Sequence, residues 1–143
     1  METFYPPQSI HISDQNWQIM LSYIQAGLPE EACGMLLGKS HQNNYQTLEV
    51  HPTTNILHNP VRYQMDPQEQ LEVINYMQEK GLELVAIYHS HPQGQNTISQ
   101  IDIEEAFYHE TVYLIWFAHC GEWQCRAYLI QDGSATEIQI WIN

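Results

Sequence analysis

Apolar residues along this chain switch between two spacings, and the switches mark its elements. Ser9 to Ile12 alternates as a short half-buried strand does. Trp17, Leu21 and Ile24 then recur at helical spacing, which predicts a helix from a cap at Ser13 or Asp14 to about Ala26, stopped by Gly27 and Pro29. Cys33 to Gly38 is a short apolar run, expected as a buried strand, and the alternating Tyr45 to His51 as its neighbour. The segment from His51 to Met65 is broken by prolines and asparagines and predicts an ordered loop. Asp66-Pro67-Gln68-Glu69 supplies a cap, a first-position proline and an acidic third residue, so a second helix should run through Leu71, Ile74 and Met77 to Gly81.

Leu82 to His89 predicts a mostly apolar strand, and Pro92 to Ile98 a polar loop. Ser99 is placed to cap a third helix reaching about Tyr108. Val112 to Ala118, Trp123 to Ile130 and Thr136 to Ile142 predict three more strands. Turns at Cys120-Gly121 and Asp132-Gly133 would fold them into an antiparallel meander. The order is mixed α and β, a sheet backed by a few helices.

Composition narrows this picture. At 143 residues and 43% hydrophobic, one domain over residues 1–143 is expected, with a sizeable core. The net charge of −13 would be repelled by phosphate backbones, which argues against nucleic acid and for a partner with a basic face. The N-terminal METFYPPQSI has neither a basic stretch nor an apolar run, so no signal peptide is read there. No apolar run is long enough for a membrane-spanning helix. Three cysteines without an export signal suggest a reducing compartment, the cytoplasm; Cys120 and Cys125 are read as a turn and a strand cysteine rather than a pair.

The candidate chemistry lies in His89-Ser90-His91-Pro92 followed, after six residues, by Ser99-Gln100-Ile101-Asp102. Strand residues two apart share a face, so His89 and His91 project together where the apolar strand gives out. Pro92 turns the chain away, and Asp102 falls in the first turn of the returning helix, able to face the imidazoles. Two imidazoles and a carboxylate make a three-ligand set for zinc, leaving a fourth position for water whose pKa the metal lowers towards 7. Such a site needs a base, and Glu31, just before the buried strand at Cys33, is the candidate. The plainer readings are that Ser99 and Asp102 only cap a helix and that Glu31 is a surface carboxylate. His11, His41, His51, His58, His109 and His119 show no ligand spacing and are read as surface or structural.

Together, Glu31-Ala32-Cys33-Gly34, His89-Ser90-His91-Pro92 and Ser99-Gln100-Ile101-Asp102 resemble the JAMM (MPN-plus) metallopeptidases, and nearly the whole chain looks like their short bacterial and archaeal branch. The resemblance implies a curved mixed sheet flanked by helices, as in cytidine-deaminase-like folds. It implies His89, His91 and Asp102 as ligands to one zinc ion. Glu31, chosen over Glu30 because it precedes Ala-Cys-Gly, would be the general acid and base. Ser99 would donate to the developing oxyanion. It further implies hydrolysis of an amide or isopeptide bond after the C-terminal glycines of a ubiquitin-like protein, here a sulfur carrier, its diglycine tail threading between a strand edge and the metal. A non-catalytic MPN-type interaction scaffold is the alternative, although no motif position is missing. A zinc base deaminase would want a Pro-Cys-x-x-Cys pair that the chain lacks. The DNA-repair-associated branch would want a helix-hairpin-helix region and a less acidic chain.

Overall fold

The computed structural model describes residues 6–143; the part of the signal-peptide reading that concerns Met1 to Tyr5 lies outside them. Seven strands and three helices follow one another as β1 (Ser9–Ile12), α1 (Asp14–Gly27), β2 (Cys33–His41), β3 (Asn44–Thr53), α2 (Pro67–Lys80), β4 (Glu83–His91), α3 (Gln100–Glu104), β5 (Val112–His119), β6 (Glu122–Gln131) and β7 (Ser134–Ile142). The expected mixed, curved sheet is present, and its curvature goes to completion. The order β1-β3-β2-β4-β5-β6-β7 closes on itself, because β1 pairs in parallel with β3 on one side and β7 on the other. The meander β5-β6-β7 is antiparallel throughout. Among the described residues no helix is long and apolar enough to cross a membrane.

Period-two alternation sorts the strands' apolar residues onto two faces. Leu36, Tyr88, Leu114 and Trp116 join Ile10, Ile12 and the α1 residues Met20 and Ile24 on one. Met35, Leu37, Ile87, Tyr113 and Ile115 join Val73 of α2 and Ile98 on the other. The β2–β4 register shifts between Leu36 and Leu37, and the extra residue turns both Val85 and Ala86 to the first face. That bulge sets the phase of the rest of β4, so Ile87, His89 and His91 share the second face.

The helix caps follow the sequence signals: Ser13 accepts from the Asn16 amide, and Asp66 from the amides of Gln68 and Glu69. The third helix is shorter than its sequence suggests, ending at Glu104 instead of near Tyr108. Tertiary contacts capture its would-be last turn. The Tyr108 amide donates to the Tyr113 hydroxyl, and the Tyr108 hydroxyl donates to Gln70 of α2. The loop after β3 is tighter than expected: an isolated bridge joins Asn55 to Met65. All three cysteines are free, Cys120 at a turn and Cys125 in β6.

Candidate active site

His89 and His91 lie on the same face at the C-terminal end of β4, which carries His91 within the ladder opposite Phe117 of β5. Both are buried. Ser90, between them, faces the other way: its Oγ accepts from the Ala32 amide at 2.8 Å, and its own amide donates to the Ala32 carbonyl. The chain entering β2 is thereby clamped against the end of β4. Cys33 pairs with His89 in the ladder, so Glu31, two residues earlier, alternates onto the face of the histidines. Glu31 is 4% exposed, whereas Glu30 points out and meets the surface residue His58. Gly34 completes the clamp, since a Cβ there would fall 2.4 Å from the Tyr88 ring.

Asp102 does two jobs with one oxygen. Its Oδ2 accepts from the Ser99 amide at 3.1 Å, half of a capping box in which Ser99 Oγ accepts from the Asp102 amide. The same Oδ2 lies 3.2 Å from His89 Nε2 and 3.2 Å from His91 Nε2, and the two nitrogens are 3.1 Å apart. The cap reading of Ser99 and Asp102 and the ligand reading of Asp102 are therefore compatible. Among the described residues the Ser99 hydroxyl is used only as an acceptor and keeps its proton to donate.

The electrostatics suit a cation. Burial holds His89 below the ordinary imidazole range. Burial also presses His91 down, but hydrogen bonds to Asp102 and to the Gln95 carbonyl outweigh it. His91 Nδ1–H donates to that carbonyl at 2.9 Å, so in the neutral ring Nε2 carries the lone pair and is free to bind a metal, while in the protonated ring it donates to Asp102. Burial would raise Asp102, yet bonds from both histidines and the Ser99 amide hold it far below the usual carboxylate range. Three lone-pair-bearing atoms thus meet at one point, an arrangement that needs a shared proton or a cation to be favourable. Two nitrogens and one oxygen are a donor set that zinc accepts. Glu31 is pushed up to about 8, chiefly by burial, with His91 pulling it down and Asp102 adding to the rise.

Several positioning residues escape a motif search. Tyr63 stacks on the His89 ring at 4.4 Å and 23°, and this contact orients the imidazole, because the buried His89 Nδ1 has no hydrogen-bond partner among the described residues. Asn55, also buried, donates to the carbonyls of Glu31 and Arg62 and accepts from the amides of Leu57 and Gln64. The Glu31 amide donates to the Asn59 carbonyl. The asparagine-rich segment was the available signal, but nothing local shows which carbonyls it would reach. Glu31, His91, Ser99 and Asp102 line one cleft with Arg62, Tyr63 and others; at about 110 Å³ it suits a narrow chain end rather than a bulky ligand. β4 has no free edge there, since β2 and β5 flank it.

With this geometry in place, the family described as prokaryotic homologs of the JAB domain matches residues 13–139. The chain belongs to this family. A desampylase of Haloferax volcanii is 35% identical over 88 residues, spanning 61% of this chain and 62% of that protein. A CysO-cysteine peptidase of Mycobacterium tuberculosis is 32% identical over 120 residues, covering 82% and 80%. The solution structure of a Desulfitobacterium hafniense protein superposes with a TM-score of 0.85 at 30% identity, covering 94% of this JAB-domain chain and 92% of that one.

Proposed function

We propose that this JAB-domain protein is a zinc-dependent peptidase that cuts the amide or isopeptide bond after the C-terminal glycines of a ubiquitin-like protein, a sulfur carrier in particular. One observation carries the reading: the atoms of His89, His91 and Asp102 converge within 3.2 Å beside Glu31 and Ser99 in a single cleft. The relatives named as a desampylase and a CysO-cysteine peptidase support the substrate class.

A zinc ion held by His89, His91 and Asp102 would supply a Lewis acid and a water acidic enough to ionise near neutral pH. The protein's own groups would do the rest. Glu31, with a pKa that burial brings near neutrality, would take a proton from the attacking water and return it to the departing nitrogen. The water oxygen bonds to the carbonyl carbon, the C–N bond breaks, and a carboxylate and an amine result. The free Ser99 hydroxyl would steady the charge gathering on the carbonyl oxygen. The tail would enter between the Val61–Tyr63 stretch and α3 rather than along β4. Three free thiols suit a cytoplasmic setting.

The test pairs metal content with cleavage. The wild type should bind one zinc per chain and release a group fused behind the diglycine of a sulfur carrier. Glu31→Gln should keep the zinc and lose about 10²- to 10⁴-fold in kcat. A metal-loaded wild type that cleaves no such conjugate would leave the scaffold reading in its place.

A further inference from the structure

The chain has four Lys or Arg residues, and only one of them, Arg62, lines the cleft. It stands there among three acids, Glu31, Asp102 and Glu105, in a protein of net charge −13. Zinc would offset Asp102 and Glu31, but among the side chains lining the cleft only Arg62 offers a cation to a leaving group that carries its own negative charge. Arg62 Nη2 already holds a carboxylate, that of Glu105 at the end of α3, so the pair joins the cleft's loop to its helix. The two side chains are 47% and 49% exposed, and an ion pair that wet is weak enough to exchange.

We infer that Arg62 reads the free α-carboxylate of the leaving group, with Glu105 as its stand-in until substrate arrives. This rests on the peptidase reading above and deepens it. When a single C-terminal amino acid is cut from a carrier, its carboxylate is separated from the scissile nitrogen only by the α-carbon. When a lysine isopeptide is cut, no carboxylate lies so close to the reacting nitrogen. A guanidinium in the cleft of Glu31, the residue placed to protonate that nitrogen, therefore favours release of a terminal amino acid over separation of two folded proteins. Arg62 is positioned for this by its own backbone, since the Asn55 side-chain Nδ2 donates to its carbonyl at 3.0 Å. The exchange is carboxylate for carboxylate at the guanidinium, and the displaced Glu105, already half exposed, turns to solvent.

The experiment uses zinc-loaded full-length protein and a ubiquitin-fold sulfur carrier extended by one cysteine, as the free acid and as the C-terminal amide. The wild type should prefer the acid by about tenfold or more in kcat/KM, expressed in KM. Arg62→Gln should collapse that ratio towards one, and Arg62→Lys should restore part of it. Glu105→Gln should do the opposite of Arg62→Gln and lower KM for the acid severalfold, because it removes the competitor. Zinc content and thermal melting of each variant report folding. If the pair is only a structural tie, Arg62→Gln and Glu105→Gln will shift KM in the same direction, and the inference falls. Equal wild-type rates on acid and amide also overturn it while sparing the peptidase reading. A wild type inactive on both substrates and on a lysine-linked conjugate sinks the peptidase reading itself.

Discussion

The two sides of the cleft are built on different principles. On one side stand the end of β4 and the first turn of α3, where His89, His91, Ser99 and Asp102 are held by regular backbone: strand alternation aims the histidines, and a capping box aims the aspartate. On the other side is the loop between Asn55 and Met65, which has no regular element and is organised by one buried side chain, Asn55, bonding to surrounding backbone groups. Glu31 sits between them. Its neighbour Ala32 is clamped by Ser90 on the strand side, while its own amide and carbonyl go to Asn59 and Asn55 on the loop side. On the proposed reading, the strand-and-helix side would supply the metal donors, and the loop side would fix where the base and the incoming chain stand with respect to them.

The largest effect should come from breaking the ordered side at its shared atom. Asp102→Ala removes the oxygen that meets both imidazoles and half of the α3 cap. Zinc measured after dialysis should fall from one per chain to near zero, and hydrolysis should fall below detection. Retention of stoichiometric zinc would contradict the three-donor arrangement.

That side is also the legible one. The period-two rule aims His89 and His91 without any knowledge of the fold, and a Ser-x-x-Asp pattern announces both a helix start and the direction of its carboxylate. The meander is legible for the same reason, as alternation punctuated by Cys120-Gly121 and Asp132-Gly133. What stays hidden is non-local. Closure of the sheet depends on four residues of β1 finding β3 and β7, strands far away in sequence. The early end of α3 depends on Tyr113 capturing the Tyr108 amide. Tyr63 and Asn55 act through His89 and Glu31, partners that no local pattern names.

Between the two sides, Glu31 offers an intermediate effect that pH can read. Its folded pKa of about 8 lies above the ordinary carboxyl value of 4.5, so the folded protein holds this proton more tightly than the unfolded chain does. The stability this contributes is complete below about 4.5 and is lost as pH rises through 8. Glu31→Gln cannot titrate. With zinc chelated away, it should therefore be nearly as stable as the wild type at pH 5 and more stable at pH 9. The gap should be on the order of 3 kcal/mol, a figure reduced because the carboxyl lines an open cleft. Urea unfolding at the two pH values measures it; parallel pH dependences for the two proteins would show that Glu31 ionises without penalty.

The smallest effect sharpens the comparison most, because it should separate the two sides. Asn55→Ala strips the loop of its organiser and strands the Glu31 and Arg62 carbonyls together with the Leu57 and Gln64 amides. Some of these groups reach water once the loop loosens, so the cost should be about 2 kcal/mol rather than the sum of every lost bond. Among the described residues Asn55 hydrogen-bonds to none of His89, His91 and Asp102, and the clamp between Ser90 and Ala32 stays intact, so zinc stoichiometry should not change. Glu31, however, loses one of its two loop-side anchors, and a misplaced base slows proton transfer without abolishing it. A kcat about tenfold lower with full zinc content is the expected result. If zinc and activity fell together, the loop would be supporting the metal donors directly, and the division of labour between ordered backbone and a single asparagine would have to be given up.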